Sequence, residues 1–183
     1  MKNMNLPNKL TLLRVCMIPL FMIFALIENT PCQLIAVLVF LAASLTDYLD
    51  GYIARKCNLV TDFGKFMDPI ADKLLVMSAM VILVSQNRMP AWVCVVMLAR
   101  EFIISGFRLV AAGKGTVIAA GMTGKIKTVT QIIAIILLML NNFPFHYIGI
   151  PMDHIMEAVC VFFTIWSGTD YIVKNRSVLL DKE

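Results

Sequence analysis

Residues 47–73, DYLDGYIARKCNLVTDFGKFMDPIADK, hold the feature that sets the class of this chain. Four carboxylates, Asp47, Asp50, Asp68 and Asp72, sit on two segments that each run into a long apolar stretch. On a helix Asp47 and Asp50 are i, i+3 and Asp68 and Asp72 are i, i+4, so each pair shares a face within about one turn. Two helices can then offer four carboxylates to one point. At roughly 2.5 to 3.5 kcal/mol for an aspartate deep in a spanning helix, four unpaired acids would cost on the order of 10 kcal/mol, comparable to the whole stability of a domain. The pattern therefore calls for cations. With no His and only the Cys57 sulfur nearby, the cluster is a hard, all-oxygen site that suits magnesium or manganese and argues against zinc. Four aspartates balance two divalent ions. Gly51, Ala54 and Gly64 are small where a bulky side chain would block a ligand, and Arg55 supplies a forked cation for phosphate oxygens. Together these residues describe a diphosphate site.

Composition agrees with a membrane setting. The 183 residues are 60% hydrophobic and 15% charged, with a mean hydropathy of +0.82, too apolar for a water-soluble domain of this length. The expectation is one all-α integral membrane domain covering residues 1–183. Cys16, Cys32, Cys57, Cys94 and Cys160 are odd in number, and four lie in apolar runs, so they read as small buried side chains and not as disulfides. The net charge of +4 is modest, and no charge run points to nucleic acid.

Six transmembrane helices are expected, at about 15–27, 33–55, 64–85, 91–112, 126–140 and 155–173, led by a short interfacial segment over residues 1–14. The first run lacks a small-residue cleavage site and is followed by Glu28, Asn29 and Pro31, so it reads as a retained span with Pro19 inside it. Pro69 lies near a helix start, where the first amides have no carbonyl partner and proline costs little. Residues 113–124 carry four glycines and read as a loop, and 174–183 as a solvated tail. Fourteen of the sixteen Lys and Arg fall on the two termini and on the junctions of spans two and three and of spans four and five; Arg88 lies in an opposite loop and Arg100 is mid-span. The positive-inside rule then puts both termini, and the metal site, on the cytoplasmic side of the cell membrane.

The spacing Asp47-x2-Asp50-Gly51-x2-Ala54-Arg55-x8-Gly64-x3-Asp68-x3-Asp72 resembles the full motif of the CDP-alcohol phosphotransferase family, with all eight fixed positions filled. The likeness runs through residues 5–14, GKFMDPIADKLL from Gly64, AREF from Ala99 and GKIKT from Gly124. These resemble the bacterial members that join CDP-diacylglycerol to glycerol 3-phosphate. The resemblance implies transfer of the phosphatidyl group to that acceptor, giving phosphatidylglycerophosphate and CMP in phospholipid biosynthesis, with two divalent cations (Mg2+ or Mn2+), membrane lipid around the chain and a homodimer. It implies Asp47 and Asp68 bridging both ions, Asp50 holding one, and Asp72 holding the other while acting as general base.

By the same resemblance Gly51, Ala54, Arg55, Thr61 and Gly64 would hold the CDP portion of the donor, with Asn8, Thr11 and Arg14 lining the nucleotide mouth. Thr61 also reads as a helix N-cap beside Asp62, and the N-terminal residues as a cap and an interfacial anchor. Arg100, Arg108, Lys125 and Lys127 are the candidates for the acceptor phosphate. Arg100 equally suits an ion pair with Glu101, and the two lysines suit cytoplasmic anchoring. The methionines, phenylalanines, His146, His154, Trp92 and Trp166 call for no role beyond packing and interfaces.

Two alternatives stand beside this. The same chemistry could use inositol phosphate, serine or phosphatidylglycerol as acceptor. Intramembrane acids also mark ion or proton transporters, but a transport path should continue polar groups to the far face, and spans five and six are expected to offer almost none past Lys127.

Overall fold

The computed structural model describes residues 6–56, 62–115, 118 and 121–176, with side chains described for all of these except 6–8, 47–56, 62–66, 68 and 69. Residues 1–5 of the expected interfacial segment, Cys57, Thr61 and the tail beyond 176 lie outside the described residues. Within them the chain is all helical: α1 (Leu6–Leu26), α2 (Thr30–Lys56), α3 (Asp62–Ser85), α4 (Ala91–Gly113), α5 (Met122–Met139) and α6 (Met152–Lys174), with a short 3-10 turn at Phe145–Ile148. The coordinates divide into two compact units, Met1–Gln86 with α1 to α3 and Asn87–Glu183 with α4 to α6.

In the first unit α1 packs against both α2 and α3. Its buried positions are Thr11, Arg14, Ile18, Phe21 and Ala25. These alternate steps of three and four, the spacing that keeps one stripe of a helix facing its neighbours. Ala36, Val37, Phe40 and Ala43 form the matching stripe of α2, and Ala71, Leu75, Ala79 and Leu83 that of α3. Alanines at these steps let the helices approach closely, and the Phe21 and Phe40 rings meet in the seam at 5.7 Å. The last turn of α1 leaves carbonyls without helical partners. Gln86, just past α3, donates its side-chain amide to the Ala25 carbonyl at 2.7 Å.

In the second unit α4 and α5 both pack on α6. The buried stripe of α6 reads Glu157, Cys160, Thr164, Ser167 and Tyr171, again in steps of three and four. On α4 the stripe is Val93, Cys94, Met97, Ile104, Phe107 and Ala111, and the step missing between Met97 and Ile104 is where Arg100 and Glu101 stand. Arg88 donates to the Met139 carbonyl at 3.0 Å, closing the end of α5. Asn141 and Asn142 follow with φ of 51° and 61°, a left-handed backbone that asparagine tolerates better than most residues. Asn142 then holds the next connection by donating to the Ile150 carbonyl at 2.7 Å and accepting from the Asp153 amide at 3.2 Å.

Both the interior and much of the exterior are apolar, and several polar side chains are enclosed. Buried side chains include Arg14, Gln33, Lys127, Gln131, Glu157 and Thr164, while Leu13, Ile23, Leu38, Val81, Phe102 and Ile165 are exposed. Such an exterior suits hydrocarbon. Lys9–Leu26, Met122–Met139 and Met152–Lys174 are long and apolar enough to cross a membrane, and Thr30–Thr46 is a shorter apolar helix.

Three expectations shift. The first helix is continuous from Leu6, so Thr11 and Arg14 belong to its packed stripe and not to a separate interfacial segment. Pro7 lies in its first turn, where the missing amide is no loss. The fifth helix starts at Met122, which puts Gly124 and Lys125 inside it. And the second unit does continue polar groups past Lys127, since Gln131, Thr164 and Glu157 are buried between packed helices, where a hydropathy profile averages them away. Cys94 and Cys160 are buried as expected, whereas Cys16 is exposed; all four described cysteines are free thiols.

Because Phe21 is fully buried, Phe21→Ala should cost about 3 kcal/mol through the void it leaves, seen as a lower unfolding midpoint of the solubilised protein. Its neighbour Leu20 is 45% exposed, and Leu20→Ala should change the midpoint little.

Candidate active site

The helical backbone of α2 runs unbroken to Lys56, so Asp47, Asp50, Gly51 and Ala54 occupy positions i, i+3, i+4 and i+7 of one helix face. In α3, which begins at Asp62, Gly64, Asp68 and Asp72 occupy i, i+4 and i+8. Asp72 is exposed. The side chains of Asn8, Asp47, Asp50, Ala54, Arg55 and Asp68, and the surroundings of Gly51 and Gly64, lie outside the described residues. As a donor set, four carboxylates in helical register without imidazole fit magnesium or manganese in hardness and in charge. Among the described residues no group of three or more His, Cys, Asp or Glu gathers at a point. Of the expected nucleotide-mouth residues, Thr11 and Arg14 are 1% and 0% exposed, enclosed within the first unit.

The four candidate phosphate cations of the second unit separate into three situations. Lys127 is fully buried on α5 and donates to Glu101 Oε1. The same oxygen accepts from Arg100 Nη1 at 3.3 Å, and Arg100 Nη2 donates to Ser167 Oγ at 3.0 Å. Arg100 therefore enters into the ion pair weighed for it, yet keeps an exposed edge, its side chain being 15% accessible. Gly168 lets its stem pass: a Cβ there would lie 3.3 Å from Arg100 Cγ, closer than carbons ordinarily pack. Arg108 donates from Nε to the Tyr171 hydroxyl at 3.2 Å, with its guanidinium carbon 5.4 Å from the ring centroid. Lys125 points outward and is exposed.

Arg100 and Arg108 line a cavity of about 220 Å³, together with Thr123, Ser167, Asp170, Tyr171, Lys174 and Asn175. Lys125 and Lys127 do not line it. Asp170 accepts from Thr123 Oγ1 at 3.1 Å and from Lys174, whose Nζ lies 2.8 Å from Oδ1 and 3.0 Å from Oδ2. Three cations and one carboxylate around a small cavity leave two positive charges over, the complement of a phosphate monoester dianion. Guanidinium forks supply paired donors for phosphate oxygens.

Sequence reasoning missed the α6 side of this cavity. Ser167, Asp170, Tyr171 and Lys174 follow steps of three, one and three, a polar stripe along the C-terminal end of an otherwise apolar helix. That spacing is visible in the sequence, whereas Lys174 lies not in the tail expected from 174 but in the last turn of α6.

Comparison with known proteins bears on the whole chain. The sequence profile of the CDP-alcohol phosphatidyltransferase family matches residues 4–166. A Bacillus subtilis protein named CDP-diacylglycerol--glycerol-3-phosphate 3-phosphatidyltransferase is 49% identical over 187 aligned positions, covering 96% of this chain and 97% of the relative. Proteins of the same name from Rickettsia typhi and Shigella flexneri are each 39% identical, covering 91% and 97% of this chain and 94% and 98% of the relatives. With the eight motif positions on α2 and α3 and a match that runs nearly end to end, the chain belongs to the CDP-alcohol phosphatidyltransferase family.

Proposed function

We propose that this protein transfers the phosphatidyl group of CDP-diacylglycerol to glycerol 3-phosphate, releasing CMP and forming phosphatidylglycerophosphate. The observation that carries the acceptor is the cavity lined by Arg100, Arg108 and Lys174, whose charge and size suit a small phosphate monoester. The printed name of the relatives supports the same pair of substrates.

The chemistry is a displacement at phosphorus. A hydroxyl oxygen of the acceptor forms a bond to the phosphorus that carries diacylglycerol, the bond from that phosphorus to the bridging oxygen breaks, and CMP leaves with that oxygen. Two divalent cations, Mg2+ or Mn2+, held by Asp47, Asp50, Asp68 and Asp72, would supply charge neutralisation on the diphosphate when bound. Asp72 takes the proton of the attacking hydroxyl. Gly51, Ala54 and Gly64 leave room for the diphosphate and the nucleotide, and Arg55 and Thr61 bind them. Thr11 and Arg14 support that end of the site by packing α1 in place, and Asn8, one turn earlier on α1, faces the nucleotide in this proposal. Arg100 and Arg108 hold the acceptor phosphate, while Lys127 acts behind them, through Glu101, and Lys125 anchors the helix end at the membrane surface.

All six helices serve as spans in this proposal, with both termini and the aspartates on the cytoplasmic side of the cell membrane and two copies of the chain forming a homodimer. Charged groups alone keep α4 from standing out as a span, since its 23 residues would extend about 35 Å.

Purified protein given CDP-diacylglycerol should release CMP only with glycerol 3-phosphate and Mg2+ or Mn2+, stop in excess EDTA and recover on adding the metal. Preference for serine, inositol phosphate or phosphatidylglycerol in a parallel panel would overturn the acceptor; acceptor-independent ion flux without CMP release would replace the enzyme by a transporter.

Asp72→Asn keeps the size of the side chain but removes the proton acceptor, so turnover should fall by at least ~10² in protein shown to be folded. Donor binding, followed by titration with labelled CDP-diacylglycerol, should survive better than turnover.

Arg108→Ala should raise the acceptor KM by about 10- to 100-fold, the equivalent of one charge-assisted bond, and leave the donor KM nearly unchanged. Lys127→Ala is expected to act differently: it leaves the half-buried Glu101 carboxylate with Arg100 alone and opens a void at a fully buried position, and should reduce the yield of folded protein, a contrast that detergent-extracted size-exclusion profiles can read.

A further inference from the structure

The acceptor cavity contains a group that a phosphate site alone does not call for. Asp170 is the one carboxylate among the lining residues, and it stands beside Arg100, Arg108 and Lys174. A negative charge there repels a phosphate dianion. It must therefore face a different part of whatever the cavity holds.

Counting hydrogen-bond capacity identifies that part. A carboxylate offers about four acceptor positions. Thr123 and Lys174 use three on Asp170, two at Oδ2 and one at Oδ1, which leaves one on Oδ1. Among the other polar groups of the wall, acceptor capacity is left only on neutral oxygens, such as the Asn175 side-chain carbonyl and the Thr123 hydroxyl. The two arginines and Lys174 carry no acceptor. Ser167 Oγ accepts from Arg100 and donates to the Thr164 carbonyl at 3.2 Å. The Tyr171 hydroxyl accepts from Arg108, and Asn175 turns its amide donor onto the Tyr171 carbonyl at 2.8 Å. A ligand with a hydroxyl to donate finds its charged acceptor at Asp170.

Resting on the acceptor site proposed above, we infer that Asp170 is a specificity-determining residue that accepts a hydrogen bond from the non-reacting secondary hydroxyl of the acceptor. The ligand class is a small polyol phosphate: the dianion lies against Arg100 and Arg108, and the polyol end is turned toward Asp170. Thr123, at the start of α5, and Lys174, at the end of α6, fix the carboxylate from both sides. The repulsion between Asp170 and the phosphate makes the reversed orientation unfavourable, so one residue both reads the hydroxyl and sets the direction in which the acceptor lies.

The test compares kcat/KM for glycerol 3-phosphate and for 3-hydroxypropyl phosphate, which has the phosphate and a primary hydroxyl but lacks the secondary one. Full-length protein in detergent with CDP-diacylglycerol and Mg2+ is used. The wild type should favour glycerol 3-phosphate by about 10- to 100-fold, the value of one hydrogen bond to a charged group. Asp170→Asn should bring that ratio toward one by lowering kcat/KM for glycerol 3-phosphate alone. A merely structural tie between Thr123 and Lys174 would lower both substrates together, leaving the ratio unchanged, and that result overturns the inference. A wild-type ratio near one also overturns it, whether or not the variant folds. Failure of the wild type to use either phosphate, with CMP released to another acceptor, would instead remove the acceptor site on which the inference stands.

Discussion

One carboxylate oxygen organises the second half of this protein. Glu101 Oε1 accepts from Lys127 on α5 and from Arg100 on its own helix, and Arg100 passes on to Ser167 of α6. Three helices are thus joined at a partly enclosed polar point. Losing Glu101 would leave the fully buried Lys127 without this partner, and removing one member of a buried ion pair is typically destabilising by about 3 to 5 kcal/mol. The geometry also has a use. With Glu101 balanced mainly by the enclosed Lys127, the exposed edge of Arg100 keeps its positive character toward the cavity. Lys127 works as a counterweight that lets Arg100 bind an anion.

In both units some polar groups are enclosed among apolar side chains while large apolar side chains also face outward. Threonine, arginine and glutamine on the packed stripes of α1 and α2 occupy positions that leucine would take in water, while leucine and isoleucine face outward. In hydrocarbon there is no gain from hiding apolar surface, so close packing and interior hydrogen bonds hold helices together. The helix ends obey it too. Gln86 and Arg88 supply donors to carbonyls of α1 and α5 that have no partner within their own helices.

Much of this was readable from the residues. Acids at i, i+3 and i, i+4 in apolar surroundings marked the segments that carry the family motif, and the helix count followed from hydropathy and turn residues. What escaped were features that depend on which face of a helix is packed. Thr11 and Arg14 looked interfacial because they precede the apolar run, yet they continue its three-four spacing toward α2 and α3. Lys127 looked like a surface anchor by its place in the loop-rich basic segment, and only the position of Glu101 across the helix pair explains why it is enclosed. Lys174 lies at a helix end that composition does not separate from the tail, and Asp170, inside the expected sixth span, has partners that its spacing does not show. Long polar side chains are decided by partners far away in sequence, and residue spacing does not report those partners.

The placement of Arg100, Glu101 and Arg108 on one helix has a consequence for how the protein is made. A nascent α4 leaving the ribosome would meet the bilayer carrying three ionisable groups, with only the neighbouring Arg100 to pair with Glu101, each such group disfavouring insertion by roughly 2.5 to 3.5 kcal/mol near the helix centre. Its partner Lys127 is synthesised only after the glycine-rich connection, on α5. In the six-span arrangement proposed above, α4 would therefore gain from the arrival of α5, because the pairing of Glu101 is complete only when the lysine reaches it.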